Sequence, residues 1–158
     1  MKLCRHESSR RERGNALIEF ALSFFLIFAM FSGIFRFGYS FYVYNTVVNA
    51  VRNGARYASI KPYDSVTTTP SNQFESEVRK MVVYGDPNAG GGAKPVVPGL
   101  TPANVQLTVT GGLAGTLTAP TAITVSITGF NIDAVFGTLN LSGKPKASFP
   151  YTGILTPL

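Results

Sequence analysis

The chain has 158 residues, 45% of them hydrophobic and only 14% charged, with 14 Lys+Arg against 8 Asp+Glu. An ordinary soluble domain carries about 25% charged residues, so this composition points to one domain, or one domain with an apolar anchor. One Cys (Cys4) and one His (His6), both close to the N-terminus, leave no intrachain disulfide framework, no Cys-based zinc site and no His-based triad.

The net charge of +6 is unevenly placed. Lys2, Arg5, Arg10, Arg11 and Arg13 against Glu7 and Glu12 give the first 14 residues +3, half of the whole excess. A nucleic-acid groove would need its basic residues on the folded domain, so no nucleic-acid partner is expected. The chain also has no P-loop, Gly-rich dinucleotide turn or nucleophile elbow. Asp64, Asp86 and Asp133 are the carboxylates an enzyme would draw on, and their spacing does not suggest acid–base work. We therefore expect neither catalysis nor a cofactor or metal.

After this basic leader (residues 1–14), Glu19 and Arg36 bracket 16 uncharged, almost wholly apolar residues, FALSFFLIFAMFSGIF. Counted from Asn15, the run before Arg36 is 21 residues, interrupted only by Glu19. As a helix it spans about 31 Å, enough for a hydrocarbon core of roughly 30 Å. Phe20, Phe24, Phe28, Phe31 and Phe35 recur at helical spacing and make a stripe on one face. The stripe serves either lipid or neighbouring helices, and its periodicity is the same for both. Five basic residues ahead of the span predict an N-terminus held in the cytoplasm and an exported C-terminal part. A cleaved secretory signal has a shorter apolar region and ends at small residues. Here the run passes instead into RFGYSFY, an aromatic segment suited to the membrane interface.

Glu19 does not suit a plain anchor, since an intramembrane carboxylate asks for a partner. Cutting after Gly14 would free an α-amino group on Asn15, one helical turn away. Glu19 is then either paired with that new charge, in its own chain or a neighbour, or solvated among headgroups as the first turn of the helix.

The helix is expected to continue to residue 60. Val47, Val48, Val51, Ala55 and Ala58 form an apolar face, and Asn45, Asn49, Arg52, Asn53 and Arg56 a polar one. Arg52 and Arg56 repel across one turn unless partnered. They belong to a solvated face, or they meet Glu75 and Glu77 of a second helix, or they meet acidic groups of a neighbouring subunit. Gly54 weakens the helix by about 1 kcal/mol relative to Ala, which close packing or an exit from the helix would explain. Lys61-Pro62 ends the element.

Residues 61–158 are expected to form an exported α+β domain. Residues 71–84 predict a second helix, with Phe74, Val78, Met81 and Val82 on one face and a capping box from Asn72 to Glu75. Residues 85–102, rich in Gly and Pro, predict an exposed linker. From Asn104 the period becomes 2, with Val105, Leu107 and Val109 on one strand and Ile123, Val125 and Ile127 on another. A third, edge strand is placed near residues 147–151, limited by Pro145 and Pro150. One face of this short antiparallel sheet should pack on the long helix.

Three segments in order, GNALIEFAL from Gly14, the Phe37-Gly38 pair after the apolar run, and NAVRNGARYA from Asn49, resemble the TadE-like family. Its members are minor pilins or pseudopilins of the tight-adherence (Flp-type) pilus system, and the resemblance covers about residues 14–59. It implies a pilin-like fold and cleavage of the Gly14–Asn15 bond by a prepilin peptidase. It also implies a register role in processing and assembly for Glu19 and Phe20. Phe24, Phe28, Gly38, Arg52, Gly54 and Arg56 become the positions for helix packing or partner contact. Two positions differ from the family pattern: Phe25 stands where members often have Pro, and Arg36 where many have an acidic residue. The partners implied are the peptidase, a major pilin and other minor pilins, the inner-membrane assembly platform and membrane lipid. The location implied is the cytoplasmic membrane, single-pass, with possible incorporation into a surface pilus. The competing expectation is an uncleaved, membrane-anchored binding module on the cell surface.

Overall fold

In the computed structural model, which describes residues 7–65, 67–111, 119–134 and 137–155, the first element is a 54-residue helix, α1 (Glu7–Ile60). Cys4 and His6 lie outside the described residues. The helix starts earlier than the sequence suggests: Arg10, Arg11, Glu12 and Arg13 are good helix formers, and no Pro lies between Glu7 and Asn15. It stops where expected, at the residue pair ahead of Pro62.

The chain divides between Tyr39 and Ser40 into two compact units, each taken by itself below. The first holds the apolar part of α1, long and apolar enough to cross a membrane. Its large apolar side chains from Leu17 to Phe37 are at least 58% exposed among the described residues.

The second unit contains the rest of α1, the helix α2 (Asn72–Tyr84), a short 3-10 turn (Pro102–Asn104) and three strands, β1 (Val105–Thr110), β2 (Ala122–Ala134) and β3 (Gly137–Pro150). It is an α+β unit with an antiparallel sheet in the order β1-β2-β3. Ser71, not Asn72, caps α2: its hydroxyl accepts from Phe74 N at 3.1 Å. The serine has the extended backbone that an N-cap needs, and Asn72 is already inside the helix. Gly85 closes α2 in the left-handed region (φ 74°), donating to the Met81 carbonyl at 3.0 Å.

One core draws on every layer of this unit. Val43, Val47, Val51, Ala55 and Ala58 of α1 share it with Phe74, Val78 and Val82 of α2, and with Val105, Ile123, Val125 and Ile127 of the sheet. Val48 is only half-buried and Ala50 takes its place; on α2, Met81 is half-buried and Val83 fully buried. The linker at 85–102 is less exposed than expected. Val97 and Leu100 enter the core, and Val96 N donates to the Val83 carbonyl at 2.8 Å.

β3 is far longer than the stretch near residues 147–151, although it is an edge strand as expected. Its first part, GTLNLSGKPK, alternates only at Leu139 and Leu141 before Gly143 and Pro145 interrupt the pattern, and pairing with β2 holds it in place. Two register shifts explain the pattern. Gly129 (φ 66°) sits in a bulge of β2, so the buried positions change phase from Ile123, Val125 and Ile127 to Phe130 and Ile132. A second bulge in β3 lies between Ser142 and Lys146.

Candidate processing and assembly site

The first group of candidate residues lies on the apolar part of α1. Gly14, Asn15, Glu19 and Phe20 are all helical and exposed. The Gly14–Asn15 bond therefore lies inside a hydrogen-bonded helix, and Glu19 follows one turn later on the same face as Asn15. The aromatic stripe is built as the spacing predicts. Phe20 stacks on Phe24 with centroids 6.2 Å apart, and Phe24 on Phe28 at 6.3 Å. Beyond them Phe24, Phe28, Phe31 and Phe35 line an apolar groove of about 330 Å³. Gly38 has open space where a Cβ would be, with no close neighbour among the described residues.

The second group lies on the part of α1 inside the α+β unit. Gly54 is buried, and a Cβ there would collide with Val82 Cγ2 of α2. Close packing accounts for this glycine, and the helix runs on to Ile60. Arg52 and Arg56 are exposed and do not pair with Glu75 and Glu77. Those carboxylates are taken closer at hand. Glu75 binds Arg79 one turn along its own helix at 2.5 Å, and Glu77 binds Lys61 just beyond the end of α1.

Glu77 is the hub of a junction that the sequence did not reveal. Its carboxylate accepts from Lys61 Nζ, from Tyr57 Oη at 3.0 Å and from Gln73 Nε2 at 3.1 Å. The Lys61 hydrogen bond, the largest cause, holds its carboxyl below the usual range against the opposing effect of burial. Burial, with the Glu77 contact added, pushes the Tyr57 phenol up to about 12. Tyr63, 1% exposed, is likewise raised to about 12 by burial first and by the Asp64 charge second. The C-terminal segment closes over the same end of α1: Thr152 N and Gly153 N both donate to the Ser59 carbonyl, and Tyr63 N donates to Tyr151 Oη at 2.8 Å. The only sequence signal for this cluster is its wealth of Tyr, which by itself names no partners.

Residues 14–56 match the family model described as TadE-like protein. This stretch is TadE-like. The TadE-like segment starts at Gly14, ends at Arg56, and so contains both groups of candidate residues on α1 but not the Glu77 junction. It leaves α2 and the sheet outside the match. No curated protein and no solved structure matches the chain.

Proposed function

We propose that the chain is a minor pilin, or pseudopilin, of a tight-adherence pilus or a related secretion apparatus, processed by a prepilin peptidase between Gly14 and Asn15. The observation that carries this reading is the TadE-like match, which opens on Gly14 with Glu19 as the one charge within the apolar helix. The work is mechanical, with no catalytic step. The apolar helix leaves lipid for a bundle of like helices, and the Phe24–Phe28 ridge that faces lipid beforehand packs on neighbours afterwards.

Charge gives the processing step its logic. The basic leader holds the N-terminus in the cytoplasm while the α+β part is exported. Its loss takes away +3 of the chain's +6 and creates an ammonium group on Asn15. An acidic residue at the centre of a membrane helix costs roughly 2.5–3.5 kcal/mol, and less near an end. Pairing with that ammonium offsets the cost for Glu19 and favours one register over its neighbours.

N-terminal sequencing of the protein from membranes and from sheared surface material tests both steps. The expected sequence begins at Asn15, and Gly14→Val is expected to leave the chain at its full 16.9 kDa in the membrane fraction. A surface protein that still begins at Met1 would show the cleavage claim to be wrong and favour the anchored binding module.

A further inference from the structure

Arg52 of α1 lines a single pocket of about 270 Å³ with Lys144 and Lys146 of β3, beside Tyr44, Val48 and Pro145. The three cations are exposed, Tyr44 and Val48 are half-buried and Pro145 is buried, so charged groups surround an apolar base. Alternation along a strand sets residues i and i+2 on the same side. The β3 bulge between Ser142 and Lys146 falls at this point, where a local twist re-aims side chains.

No carboxylate lines the pocket. Glu75 pairs instead with Arg79 and Glu77 with Lys61, away from the pocket lining. Three like charges gathered in one small space repel, and an anion entering between them removes that repulsion.

We propose that this pocket is the docking site for an acidic, extended peptide segment of a partner protein. Two features favour a peptide over a point anion such as phosphate. Tyr44, Val48 and Pro145 give the methylenes of a Glu or Asp side chain a surface to pack on. β3 is also an edge strand, pairing with β2 on one side only among the described residues. An extended segment laid along its other side gains main-chain hydrogen bonds while its carboxylates reach Arg52, Lys144 and Lys146. This goes beyond the pilin reading and does not depend on it, since the pocket takes the same ligand whether or not residues 1–14 are removed.

The test uses the full-length protein in a neutral detergent and a fluorescein-labelled octaglutamate peptide, read by anisotropy. The wild type is expected to bind, and the triple variant Arg52→Gln, Lys144→Gln, Lys146→Gln to bind at least about tenfold more weakly. Arg10→Gln, Lys80→Gln, Lys94→Gln removes the same charge outside the pocket and is expected to change binding less than about twofold. Circular dichroism checks that each variant is folded, and the single exposed change Lys146→Glu supplies the comparison if the triple variant is not. Equal loss in the two triple variants would reduce the effect to net charge and overturn the proposal. So would a wild type that ignores the peptide but binds inorganic phosphate or phosphatidylglycerol vesicles through the same three residues. No binding to any of these probes would leave the lysines as guards of an open strand edge, which also overturns it.

Discussion

A single glycine decides how closely the two helices of the α+β unit approach. At Gly54 an added methyl meets Val82 Cγ2, and Val82 is itself fully buried. Alanine would add about 1 kcal/mol of helix propensity, whereas overpacking a filled core costs about 1–3 kcal/mol. Gly54→Ala is therefore expected to lower the thermal midpoint. The same change made in a Val82→Ala background should cost less, because the clashing methyl is gone; equal costs in the two backgrounds would dismiss the packing account. Gly38 is the contrasting case, with nothing within 4 Å of the place an alanine methyl would occupy. Gly38→Ala should leave the stability of the isolated chain unchanged or slightly raised. A loss of pilus assembly in that variant, measured as sheared surface protein, would then report a contact with another molecule.

At the scale of elements, the α1–α2 junction rests on two short-range devices, the Ser71 cap and the Glu77 hub. Ser71→Ala removes the acceptor for Phe74 N and is expected to cost about 1 kcal/mol in a denaturant titration. Glu77 contributes through its ionised form. Its carboxyl is held below the ordinary range in the fold, so the stabilisation is complete above the usual carboxylate pKa and fades as pH falls through the depressed value. Glu77→Gln should flatten that acid limb of the stability curve, and an unchanged limb would assign it to other groups. The contrast between these devices shows what a sequence exposes. Helical periodicity revealed most of α1 and of the α2 face, and the resemblance of three ordered segments revealed the TadE-like residues, because each depends on spacing along one segment. Ser71 and Asn72 are equally good caps by chemistry, and only the backbone angles choose between them. Two of the partners of Glu77 are 20 and 16 residues away at Tyr57 and Lys61, and the first part of β3 is ordered by its pairing with β2. Such arrangements arise when elements meet, so no local pattern announces them.

The whole molecule combines a folded unit rich in constrained tyrosines with a helix whose apolar run contains no ionisable residue between Glu19 and Arg36. These parts should respond differently to alkali. Tyr57 and Tyr63 are raised to about 12 from 10.0, both chiefly by burial, and Tyr151 is raised for the same leading reason. The fold thus favours the neutral phenol. Its contribution is fully present below the unfolded value of about 10 and is lost as pH rises through the folded values. The Tyr57–Glu77, Tyr63–Thr67 and Tyr151–Lys61 hydrogen bonds, in each of which the phenol donates, should fail in that window, loosening the end of α1 from α2 and from the C-terminal segment. We expect the near-ultraviolet tyrosine signal to collapse between pH about 10 and 12. Tyr57→Phe should move that transition to higher pH once its lower stability at neutral pH is allowed for. Membrane retention should be indifferent to the same change, because the apolar helix gains no charge within its span. After a carbonate wash at about pH 11.5, inside that window, the protein should still sediment with the membranes although its folded unit has begun to loosen. Release into the supernatant would mean that the chain is held by its folded unit or by other proteins, and would remove the basis for reading α1 as a membrane helix.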